Sequence, residues 1–144
     1  MHVRDILSVK GDRVITIKPD ATVAATSQML AKHRIGAVLV TNADDAIIGI
    51  ISERDIVRGL AQHGGAVAEL AVADLMTREV RTCTMSDTIA DIMGVMTAHR
   101  FRHLPVVEDG RLIGIVSIGD VVKYRLDETK LEVESLRDYV LAGR

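Results

Sequence analysis

The sequence predicts an α/β (α+β) chain made of two β-α-β-β-α motifs followed by a C-terminal helix, and three observations carry that expectation. A Gly-apolar-apolar-Ser-x-x-Asp phrase occurs twice, as Gly49-Ile50-Ile51-Ser52-Glu53-Arg54-Asp55 and Gly114-Ile115-Val116-Ser117-Ile118-Gly119-Asp120. Val14, Thr16, Thr22, Ala24, His33 and Arg34 recur as Val80, Thr82, Thr88, Ala90, His99 and Arg100, all at an offset of 66. The lead-ins Val3-Arg4-Asp5-Ile6-Leu7 and Val72-Ala73-Asp74-Leu75-Met76 also correspond. Repetition over so much of a short chain indicates duplication of one small building block.

In the first copy, Val14 to Lys18 alternates and reads as a strand; Pro19-Asp20 punctuates it, with Asp20 placed to cap a helix running to about His33. In the second, Val80 to Met85 reads as the strand and Ser86 as the cap. The helix after it carries Ile89, Ile92, Met93 and Met96 at i, i+3, i+4 and i+7, the spacing of a core face. Val38 to Val40 and Leu104 to Val107 follow as strands. Polar turns at Asn42 to Asp45 and Glu108-Asp109-Gly110 lead to strands ending at Ser52 and Ser117, and helices begin at Glu53 and Gly119. Gly64-Gly65 breaks the chain, and Ala66 to Met76 reads as a short helical connector. The expected boundaries are 1–62 for the first motif with its lead-in, 63–75 for the connector, 76–125 for the second motif and 126–144 for the C-terminal helix. Strand pairs this short leave a face that one copy cannot cover, so the halves are expected to pack sheet against sheet. Leu126, Val133 and Val140 recur at sevens with Leu136 between them, fitting either a helix packed back on its own module or a dimer contact.

Composition narrows the function classes. Hydrophobic residues make up 48% of 144, enough for a core, but aromatics are 2% and Trp is absent, so few rings can stack on bases. The 18 basic and 20 acidic residues are interspersed, which argues against nucleic acid as a partner. Cys83 is the only cysteine, which excludes an intrachain disulfide and favours a reducing compartment. The start of the sequence lacks a signal-peptide pattern and no apolar run is long enough to span a bilayer, so a cytoplasmic protein is expected.

The repeated phrase has a chemical logic. Its Ser and Asp stand three apart where strand turns into helix, a place where free N–H groups and the helix dipole favour an anion and a carboxylate can accept from sugar hydroxyls. Catalytic motifs are missing: Gly114 to Gly119 has the Gly-x-x-x-x-Gly spacing of a phosphate loop, but Asp120 and Val121 follow where Lys and Ser/Thr are required. Ser52 and Ser117 have no matched His in the repeat, so no catalytic residue is assigned.

Order, duplication and spacing together make the chain resemble a tandem pair of cystathionine-β-synthase (CBS) domains. The residues that carry the likeness are the lead-ins, the Thr16 and Thr82 strands, the Arg102-His103-Leu104-Pro105-Val106-Val107 stretch and both Ser-x-x-Asp closings. The resemblance implies a pseudo-twofold pair, a Bateman module, with two clefts between the repeats for AMP, ADP, ATP, S-adenosylmethionine or NAD-type dinucleotides. It puts ribose on Asp55 and Asp120 and phosphate near Ser52 and Ser117. It puts adenine against Thr16, Ile17, Lys18, Gly36, Ala37 and Val38 in one copy, and Thr82, Cys83, Thr84, His103, Leu104 and Pro105 in the other. Arg54, Arg102 and His103 become phosphate candidates. Because the copies differ at 36–39 and 102–105 and at 53–54 and 118–119, the clefts are expected to be unequal.

Plainer roles compete with these. Asp55 and Asp120 can be helix-start carboxylates and Arg102 and His103 solvated bases. His33 and His99 fit C-terminal helix capping better than metal ligation, so no metal site is assigned. Cys83 fits packing or pocket lining better than redox sensing. The expected function is a regulatory module that needs no cofactor, takes AMP or ATP as a regulatory ligand, pairs as a homodimer and signals to an unknown effector. The alternatives are an NAD(H) or S-adenosylmethionine sensor and a ligand-free structural dimerisation module.

Overall fold

The structure is a computed structural model that describes residues 1–11 and 13–143. In chain order the elements are α1 (Val3–Lys10), β1 (Thr16–Ile17), α2 (Val23–His33), β2 (Ala37–Thr41), β3 (Ile47–Ser52), α3 (Glu53–His63), a 3₁₀ turn (Gly64–Glu69), α4 (Val72–Leu75), α5 (Ile89–His99), β4 (His103–Glu108), β5 (Arg111–Ser117) and α6 (Ile118–Ala142). Mixed helix and strand, two small sheets and a long last helix are what the sequence predicts. No helix among the described residues is long and apolar enough to cross a membrane.

The chain gathers into two compact units that do not follow chain order: 14–81 form one, and 1–13 with 82–144 form the other. The first lead-in, expected with the first motif, is therefore packed in the second motif's unit, and the connector and second lead-in are packed in the first's.

In the 14–81 unit, β1 runs parallel to β2 with Thr16 beside Leu39, and β2 runs antiparallel to β3 with Ala37 opposite Ser52. All five residues of β2 are buried, as a central strand with both faces covered requires. Val38, Val40, Ile51, Leu30 and Val72 build the core. The other unit has an antiparallel β4-β5 pair, with His103 opposite Ser117, over a core of Val3, Ile6, Leu7, Ile89, Ile92 and Val116.

Two close approaches hold the lead-ins in place. A Cβ on Gly49 would lie 2.6 Å from the Met76 sulfur and 3.0 Å from the Thr77 carbonyl oxygen, and one on Gly114 would lie 2.9 Å from both methyls of Leu7. Leu7 and Met76 are matching lead-in positions, so each strand uses glycine to admit one of them.

Several local expectations are corrected. Thr22 and Thr88, not Asp20 and Ser86, cap α2 and α5, their hydroxyls accepting from the Ala25 and Asp91 amides at 3.1 Å. The strand expected at 80–85 reduces to one parallel bridge between Cys83 and Val106. Side chains divert its other donors: the Thr84 amide goes to Asp87 and the Met85 amide to Glu108, both at 2.8 Å. Met93 leaves the α5 stripe for solvent, whereas Ile89, Ile92 and Met96 are buried. The connector splits into the 3₁₀ turn and α4, and the second motif's last helix starts at Ile118 and is continuous with the C-terminal one.

Candidate functional site

Each Ser-x-x-Asp phrase folds into the same corner. Ser52 and Ser117 leave the strand with extended backbone and become the N-caps of α3 and α6. The Ser52 hydroxyl accepts from the Asp55 amide at 3.3 Å while the Asp55 carboxylate accepts from the Ser52 amide at 2.9 Å. The second corner repeats this at 3.1 and 2.9 Å. These capping boxes pin both carboxylates, so their remaining lone pairs point in fixed directions. The helix-start role is thus real in both copies, and it leaves acceptor capacity for a ligand.

Beyond the box the corners diverge. Asp55 is 8% exposed, and its second oxygen accepts from the Thr77 hydroxyl at 3.1 Å. Asp120 instead meets a cation: Lys10 Nζ donates to Oδ2 at 2.6 Å and to the Ile115 carbonyl at 2.9 Å. Burial works to raise the Asp120 carboxyl, but hydrogen bonds from Lys10 and Ser117, with the Lys10 charge, outweigh it and hold the group below its ordinary value. Asp120 Oδ1 has no protein hydrogen bond among the described residues.

The difference begins in the lead-ins. After Met76 the chain leaves helical conformation and Thr77 bridges to Ile50, its amide donating to the Ile50 carbonyl at 2.8 Å. That places its hydroxyl at Asp55. After Leu7 the helix continues to Lys10, and its last turn carries the lysine to Asp120. Thr77 and Lys10 carry no sequence signal beyond closely following a lead-in.

The strands bring several candidates to these corners. The Gly36 carbonyl accepts from the Glu53 amide at 2.9 Å and the Arg102 carbonyl from the Ile118 amide at 2.8 Å, tying the start of the second strand of each motif to its last helix. Gly36 and Ala37 therefore adjoin Ser52, and Arg102 and His103 adjoin Ser117. The Arg102 side chain is exposed and borders a depression of about 550 Å³ with Ile118, Gly119, Val122 and Leu126. Arg54 is exposed on α3, one position before Asp55. Val38, Leu104 and Pro105 are buried, and the side chains of Val38 and Leu104 belong to the cores.

Other candidates lie elsewhere. Lys18 stands at the far end of β2 from the corner, its amine on the Asn42 carbonyl at 2.8 Å, Asp45 at 3.1 Å and Thr41 at 3.3 Å. Ile17 is a core side chain, while Thr16 is exposed beside Leu39, midway along β2. Thr82 is exposed, and Thr84 pairs its hydroxyl with Ser86 at 3.1 Å. Cys83 is buried, and burial first, then the charge of Asp87, pushes its thiol up to about 12, which suits a packing residue.

A groove of about 400 Å³ runs between α1 and α6, lined by Ile6, Val9, Lys10, Asp120, Tyr124 and Leu131 among others. The Lys10–Asp120 pair is thus reachable from solvent.

Comparison with known proteins agrees with this architecture. The family model for the CBS domain matches residues 3–62 and 72–127. A CBS-domain protein of Agrobacterium tumefaciens, ATU1752, is 46% identical, with a TM-score of 0.84 over 86% of this chain and 92% of its own. The CBS domain protein PAE2072 of Pyrobaculum aerophilum, solved with AMP, is 26% identical, with a TM-score of 0.73 over 83% and 89%. The CBS domain pair of MJ0100, solved with 5-methylthioadenosine and S-adenosyl-L-methionine, is 26% identical, with a TM-score of 0.79 over 89% and 98%.

Proposed function

The chain belongs to the CBS-domain family, with two copies of the domain in tandem, and from that premise we propose that it is a regulatory module that binds an adenosine-class small molecule at its Ser-x-x-Asp corners. It changes shape on binding and does no chemistry on the ligand. The observation that carries this reading is the twice-built corner, a carboxylate fixed by its own helix start at the end of a strand. Vicinal ribose hydroxyls are the donors such a carboxylate suits. AMP, 5-methylthioadenosine and S-adenosyl-L-methionine, the ligands of the two relatives, share adenine and ribose and differ only beyond the 5′ carbon.

Charge beyond the ribose selects among such ligands. Arg102 and His103 adjoin the Asp120 corner and Lys10 keeps one N–H unspent there, which favours a phosphorylated ligand, AMP or ATP. At the Asp55 corner Arg54 is the nearby candidate. A ligand coupling of about 1 to 3 kcal/mol suffices to shift a module between two arrangements. The receiver is an effector protein, and the module acts as a homodimer.

Titration calorimetry and thermal melting with AMP, ATP, S-adenosylmethionine and NADH test the reading. AMP or ATP should give saturable heat and a raised melting temperature, equivalent to about 2.7 kcal/mol at a hundredfold excess over Kd. Asp55→Ala and Asp120→Ala should each remove the signal of one site. No heat and no melting shift with any of the four ligands would leave a ligand-free dimerisation module as the better account.

A further inference from the structure

The last helix carries more apolar surface than its own unit uses. From Thr129 to Ala142 every residue of α6 is exposed, so this stretch has no covering partner within the described chain. A lone helix of about 12 to 15 residues is marginal in water, and most helical stability comes from burying an apolar face. Such a face exists. Val122, Leu126, Thr129, Val133, Leu136 and Val140 follow one another at alternating steps of four and three, and the five apolar members are 48–65% exposed. Leu131, on the other side of the helix, looks into the α1 groove instead.

We infer that this seam pairs with the same seam of a second copy, in parallel and in register, as a two-stranded coiled coil. Leu126, Val133 and Val140 take the a positions and Val122, Thr129 and Leu136 the d positions. Val133 followed by Leu136 is the one step with Val at a and Leu at d, the combination that favours two parallel strands. The flanking charges choose the direction. One flank carries Lys123, Lys130 and Arg137, all basic; the other carries Arg125, Glu132 and Tyr139. An antiparallel pair sets the basic flank against itself. A parallel pair sets Glu132 of each helix against Arg137 of the other, twice by symmetry. Arg125 then meets Lys130, but it is drawn back along its own helix by Glu128 at 3.9 Å.

Sedimentation of the full chain at tens of micromolar should show a dimer; a monomer overturns the inference. Val133→Glu with Leu136→Glu, on an exposed face and checked for folding by circular dichroism, should give monomers, and a dimer that survives this pair overturns it too. Glu132→Arg should weaken dimerisation about tenfold, and adding Arg137→Glu should restore it; no rescue counts against the pairing. Leu136→Cys should form a disulfide-linked dimer under mild oxidant, with the buried Cys83 silent in the parent protein. A dimer that depends on the seam but does not cross-link at this position overturns the parallel register.

Discussion

At the same step of the repeat, Asp55 faces a threonine and Asp120 faces a lysine. The backbone around the two is duplicated closely: strand end, serine cap, capping box and a glycine that admits a lead-in side chain. What is not duplicated is the charge. The frame of each corner is set by local sequence, because Ser and Asp three apart build it from their own backbone. Its electrostatics are set by a lead-in from far away, Thr77 at 22 residues and Lys10 at 110. Duplication has kept the frame of the corner and freed the charge around it, and that is why unequal sites are expected from equal scaffolds.

The sharpest way to break this comparison is to push the lead-ins off their glycines. Gly49→Ala places a methyl against the Met76 sulfur at 2.6 Å and a backbone carbonyl at 3.0 Å. The carbonyl cannot swing aside, so the cost should be about 3 kcal/mol. Gly114→Ala meets only the methyls of Leu7, at 2.9 Å, and should cost about 1 to 2 kcal/mol. Urea denaturation of both variants measures the pair. Equal costs would show that the two lead-ins are held alike and that the Thr77 bridge adds no rigidity.

Truncating the two carboxylates comes next. Asp55→Ala removes the acceptor for the Ser52 amide and hydroxyl and for the Thr77 hydroxyl at a buried position, a loss of about 2 kcal/mol. Asp120→Ala removes the carboxylate half of the capping box and the Lys10 contact, but the Ser117 cap stays and Lys10 retains the Ile115 carbonyl and access to water, so about 1 kcal/mol is expected. Reversal of that order in chemical denaturation would mean that the lysine, not burial, dominates corner stability.

What was legible follows the same division. Both corners could be read from sequence, because an apolar strand, a Ser cap and an Asp at N3 are local signals, and strands end at Ser52 and Ser117 as expected. The cap positions of α2 and α5 were ambiguous because Asp20 and Thr22, or Ser86 and Thr88, are both good caps; the repeat offset at Thr22 and Thr88 was the better guide. The missing strand at 80–85 was not legible, since alternation is present but Asp87 and Glu108 take its amides. Lys10 and Thr77 were not legible because their roles depend on tertiary placement: the first lead-in packs with the second motif and the second with the first. No local pattern in Ser8-Val9-Lys10 announces a partner at Asp120.

The smallest effect tests whether Lys10 acts through charge. Asp120 has its carboxyl held below the ordinary value, so it contributes stability that is present above the unfolded value of about 3.9 and is lost as pH falls through the folded one. Lys10→Met keeps the stem of the side chain against α6 and removes the charge. Near neutral pH and low salt the variant should be less stable by at most about 1 kcal/mol, because the pair is partly exposed and screened. The gap should close as acid protonates Asp120, and it should also narrow in high salt. Urea titrations of both proteins across the acid range measure this directly. A gap that stays constant through the protonation of Asp120 would assign the contribution of Lys10 to packing, and the two corners would then differ in shape but not in charge.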